Sequence, residues 1–100
     1  MTFSLYSIRD FKTGYLAPVC EVNQESAIRN FEAACLRSDS LFFSHPEDYA
    51  LFHLGYYDSE SGDLVSCVPC EVVTAVQAIQ SALAHSYVTK GVSSDGQKDS

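Results

Sequence analysis

Three groups of side chains in this sequence have the types and spacing to do chemistry. Tyr49, His53 and Tyr57 share parity, so on a strand they line one face. Aromatic rings on a sheet face stack with unpaired bases and discriminate little between them. Tyr6 or Tyr15 from a neighbouring strand would extend the stripe, and Arg9 and Lys12 are the cations best placed beside it. The same stripe also suits self-association, or cover by a helix, because a sheet apolar on both faces usually has both covered. Cys67-Val68-Pro69-Cys70 is the second group. A Cys-x-x-Cys pair at a helix start favours the reactive thiolate and is the pattern of thiol–disulfide exchange, or half of a zinc site. A zinc site would need further ligands from Cys20, Cys35, His45, His53 or His85, none of which forms a second close pair. The third group, Asp58-x-Glu60-x-Gly62-Asp63, has carboxylates for calcium but not the spacing or terminal Glu of a helix–loop–helix calcium site. A polar hairpin turn accounts for it.

No Ser-His-Asp order, Gly-rich phosphate loop or His-Glu metal motif occurs. The expectation is therefore a protein that is not an enzyme, with no catalytic residue, cofactor or metal.

Positioning these groups requires an α+β domain in the order β-β-α-β-β-α. Phe3 to Arg9 reads as a strand, with a turn at Asp10 to Gly14 and a return strand from Tyr15 to Val22. Pro18 assigns that return strand to a sheet edge or a bulge. Asn23 caps a helix reaching about Arg37, with Ala27, Ile28, Phe31, Ala34 and Cys35 as its apolar stripe. Leu41-Phe42-Phe43 tucks against the core as a connector. Ser44-His45-Pro46-Glu47 matches a capping box opening a short helical turn to about Tyr49.

Tyr49 to Tyr57 is the strongest strand pattern, with Ala50, Phe52, Leu54 and Tyr56 assigned to the core. Asp58 to Gly62 turns the chain into a strand over Asp63 to Val68. Pro69 ends that strand, and a helix runs from about Cys70 to Ala84 with Val72, Val76, Ile79 and Leu83 on one stripe. The expected architecture is an antiparallel four-stranded sheet packed with two helices. The domain spans 1–85, and 86–100 is a flexible, disordered tail.

One hundred residues suit one domain with a modest core, so a homo-oligomer is expected. The formal charge of −7 argues against a duplex-DNA binder, whose affinity rests on neutralising phosphates. Single-strand binding by stacking and docking on a basic protein both survive it. With no membrane-length apolar run and no basic N-terminal region, the expected compartment is a cytoplasm, where thiols stay reduced. Cys35 and Cys20 then read as small apolar residues.

Several pieces resemble one family. Leu5-Tyr6-Ser7-Ile8-Arg9-Asp10, the Asn23 helix start, Ser44-His45-Pro46-Glu47-Asp48-Tyr49 and Leu54-Gly55-x-Tyr57-Asp58-x-x-Ser61-Gly62 occur in order across residues 3–66. They look like the small nonstructural protein of gokushoviruses, single-stranded-DNA phages of the microvirus family. The Cys67–Cys70 pair and the tail lie outside the resemblance. It implies an early phage protein absent from the mature capsid and described as DNA-binding, made in the bacterial cytoplasm. By genome position it is likened to the microvirus protein that switches replication to single-strand synthesis and packaging. Its implied partners are single-stranded DNA or phage replication and procapsid proteins. It carries over no catalytic residue. From other classes stand a cytoplasmic thiol–disulfide or zinc protein using Cys67 and Cys70, and a purely structural homodimeric adaptor.

Overall fold

Pro18 shapes the first hairpin in the computed structural model, which describes residues 1–93, with side chains through Ala84. β1 (Thr2–Asp10) turns where the Asp10 carboxylate accepts the Lys12 backbone N–H at 2.9 Å. The chain then returns as two short pieces, β2 (Gly14–Tyr15) and β3 (Val19–Glu21), both antiparallel to β1. Pro18 has no ladder donor and sits in the gap between them, at the sheet edge. The division makes the sheet five-stranded where four strands were expected. Ser7, only 1% exposed, secures the gap by donating its hydroxyl to the Leu16 carbonyl at 2.6 Å.

Asn23 caps α1 (Gln24–Cys35), its side-chain oxygen accepting the Ser26 N–H at 2.8 Å. Ala27, Phe31 and Cys35 are the buried positions, in agreement with the helical spacing. Asn23→Ala is expected to cost about 1 kcal/mol. It should appear as a lower urea midpoint at unchanged denaturant slope. Burial, with the Glu32 carboxylate adding to it, pushes the Cys35 thiol up to about 11, so this cysteine is an unreactive piece of core.

The connector Leu41-Phe42-Phe43 is helical: α2 (Leu41–Ser44) is capped by the Ser40 hydroxyl, which accepts the Phe42 N–H at 2.9 Å. This corrects the capping-box reading of Ser44. Its hydroxyl bonds the His45 ring at 2.8 Å, and the following 3₁₀ turn (Pro46–Asp48) has no side-chain cap. The turn itself and Pro46 in its first position agree with the sequence.

β4 (Tyr49–Asp58) lies between β1 and β5 (Leu64–Thr74), antiparallel to both. The connecting loop is the polar turn expected. Asp58 accepts the N–H groups of Glu60 and Ser61, which hold its carboxyl below the ordinary range.

β5 corrects the sequence reading, which ended this strand at Pro69. It continues to Thr74, because an edge strand with a bulge tolerates a missing donor. The final helix α3 (Ala75–Ser93) accordingly begins five residues later than Cys70 and continues past Ala84. It therefore includes part of the segment expected as a tail over 86–100, of which 94–100 lie outside the described residues. No helix among the described residues is long and apolar enough to cross a membrane.

α1 and α3 cover one face of the sheet. Tyr6, Tyr49 and Leu51 from the strands meet Ala27, Phe31 and Cys35 of α1 and Ala75 and Ala78 of α3 in one core. The result is an α+β two-layer domain. The expected inner face of β4 is thus corrected: Tyr49 and Leu51 point to the helices, and Tyr56 is 44% exposed. Ala50 and Phe52 are also buried, but from the opposite side of the sheet.

Candidate ligand face of the sheet

A bulge decides which aromatic side chains share a surface. Tyr6 pairs with His53 and Leu5 with Gly55, which leaves Leu54 as an extra residue in β4. Alternation therefore shifts between His53 and Gly55. Tyr49 and His53 lie on the helix side, while Tyr57, opposite Phe3, lies on the open side. The expected stripe Tyr49-His53-Tyr57 is split between two faces, because alternation read from sequence assumed an uninterrupted ladder.

Two of the expected site residues belong to the core. Tyr6 is 2% and Tyr49 7% exposed, and the Tyr49 ring packs against Phe42 at 4.8 Å. His53 is half-buried between Tyr6 and Tyr56, with centroids 5.1 and 5.0 Å away. Lys12 is exposed, and its ammonium pairs with Asp48 at 3.7 Å.

Arg9 is the member of the set that organises a surface. Asp10 turns the first hairpin so that Arg9 and Tyr15 become cross-strand partners on the open face. The Arg9 guanidinium lies 5.3 Å from the Tyr15 ring centroid and 5.4 Å from that of Phe11. Phe52 supports this layer from β4, edge-on to Tyr15 at 5.6 Å and to Phe11 at 6.3 Å. Phe11 and Tyr15 remain nearly half exposed. Among the described residues no carboxylate pairs with Arg9, and its Nε is buried without a hydrogen-bond partner.

Chemically this is a cation placed over two π faces on an open sheet, suited to a ligand that is both aromatic and anionic. The sequence reading included Arg9 and Tyr15 but missed Phe11 and Phe52. Phe11 was absorbed into the turn, and Phe52 was assigned to the helix-covered core. Phe11 shares the parity of Arg9 and Tyr15 across a short hairpin, the signal that could have found it, whereas no local pattern points to Phe52. The remaining charges of this face are sparse; Glu71, opposite Phe52, is one.

Among the described residues, no group of three or more His, Cys, Asp or Glu is arranged to hold a metal ion. A family model described as phage ORF5 protein matches residues 3–78. No curated protein and no solved structure matches the chain.

Proposed function

The chain belongs to the phage ORF5 protein family, and we propose that it is a non-enzymatic, nonstructural accessory protein of single-stranded-DNA phage replication or packaging. It acts in the host cytoplasm by binding single-stranded DNA on the open face of the sheet, as a homo-oligomer. The observation that carries this reading is Arg9, without a carboxylate partner, between the exposed rings of Phe11 and Tyr15. Bases stack on the rings while a phosphate meets the guanidinium. The gokushovirus-like pattern across residues 3–66 supports the same assignment.

An overall charge of −7 keeps the phosphate contribution small, so affinity comes from stacking and falls only gently with salt. Tyr15→Ala or Phe11→Ala is expected to weaken oligonucleotide binding by about 1–3 kcal/mol. Arg9→Ala should make the slope of log affinity against log salt shallower by about 0.7. Fluorescence anisotropy with a labelled single strand measures both.

The acidic balance favours a second reading, in which a basic replication or procapsid protein is the partner. Wild-type protein that leaves the oligonucleotide unshifted at low salt excludes the DNA mode in favour of this one. Light scattering tests the homo-oligomer, and a clean monomer at working concentration removes it.

A further inference from the structure

The bulge in β5 carries chemistry that the open face does not use. His53 pairs with Cys70 and Gly55 with Ser66, so β4 advances two residues while β5 advances four. Four extended residues would span about 13 Å, but their partners on β4 stand only about 7 Å apart. The slack lies in Cys67-Val68-Pro69, and Val68 at its apex is 86% exposed. Taking up that slack brings Cys67 closer to Cys70 than the roughly 10 Å that three extended residues span, toward the roughly 4.4–6.8 Å Cα separation that a disulfide needs. Cys70, directly opposite His53 on the ladder, takes the same side of the sheet as the imidazole. Cys67 is there too, its Sγ 3.6 Å from His53 Nδ1. Cys67 is half-buried and Cys70 exposed, so both are open to a small reagent.

We propose that Cys67 and Cys70 form a thiol–disulfide pair, with Cys67 as the attacking thiol and His53 as its base. In the tautomer with its proton on Nε2, the His53 imidazole accepts the Cys67 proton at Nδ1. The thiolate attacks one sulfur of a low-molecular-weight disulfide such as glutathione disulfide. A mixed disulfide forms on Cys67, and the departing glutathione thiolate takes the proton held by the imidazolium. Cys70 then attacks Cys67 Sγ, loses its own proton to the second departing glutathione, and closes the Cys67–Cys70 bond. Two protein thiols are oxidised and one disulfide is reduced to two thiols. The closed ring spans the bulge and fixes its shape.

Two other cysteines serve as internal references: Cys20 is exposed and Cys35 is buried. Reduced full-length protein is treated with glutathione disulfide, quenched in acid, and mapped by mass spectrometry after alkylation. The expected product is a Cys67–Cys70 disulfide, formed at least about tenfold faster than glutathione accumulates on Cys20, with Cys35 unmodified. Cys70→Ser should stop the reaction at glutathione on Cys67, and Cys67→Ser should abolish the fast phase. His53→Gln should slow modification of Cys67 by at least about tenfold. Glutathione remaining on Cys67 of the wild-type chain without ring closure overturns the proposal. So does a Cys67 rate no greater than that of Cys20, or one untouched by His53→Gln in a protein of unchanged circular dichroism. The two serine variants decide the matter even if the His53 variant fails to fold.

Discussion

Tyr49→Ala is expected to destabilise the domain by about 3–5 kcal/mol, the usual cost of removing a large buried aromatic side chain. The ring is 7% exposed, packs against Phe42, and belongs to the core that joins the sheet to α1 and α3. Small domains have only about 5–15 kcal/mol in total, so the variant sits near the edge of folding. The midpoint of thermal unfolding should fall on the order of 15 °C or more. Tyr15→Ala, on the open face, should leave that midpoint within a few degrees while weakening ligand binding. The pair separates the two roles that parity alone assigned to one stripe. A Tyr49→Ala protein that melts with the wild type but no longer binds oligonucleotide would make Tyr49 a surface group and contradict the core.

The fold was legible where local rules act on neighbouring residues. Asn23 caps its helix, the Ala27-Phe31-Cys35 spacing sets the buried side of α1, and Pro18 marks the return of the first hairpin as the sheet edge. Each depends on residues close in the chain. The faces of the sheet were not legible, because they depend on ladder partners far away in sequence. One extra residue at Leu54 reverses which side Tyr57 occupies, and no residue type in β4 announces it. Pro69 misled for a related reason. Its missing donor ends a central strand but not an edge strand, and only the sheet order reveals that β5 is an edge. The candidate site was therefore half visible: Arg9 and Tyr15 were in view, whereas Phe52 required knowing which layer lies uncovered.

Gly55→Ala tests the close contact between β4 and β5 and should be the next most damaging change, at about 2–4 kcal/mol. A Cβ built on Gly55 would run into the carbonyl oxygen of Val65, with the Ser66 Cα 3.0 Å and the Val65 carbonyl carbon 3.1 Å away. All three are backbone atoms of the paired strand and cannot rotate aside, so β4 and β5 must separate where they join. This close approach, together with a φ of 157°, demands glycine. Gly62 is the control: its φ of 81° disfavours a side chain, but no heavy atom stands within 4 Å of the added carbon. Gly62→Ala should cost only about 1 kcal/mol, the strain of a left-handed turn residue. Chemical unfolding ranks the two. Equal and small effects would mean that the strands have room at Gly55 and that the close approach of β5 does not require glycine there. A large loss at Gly55 alone locates the demand for glycine in the tight contact between β4 and β5.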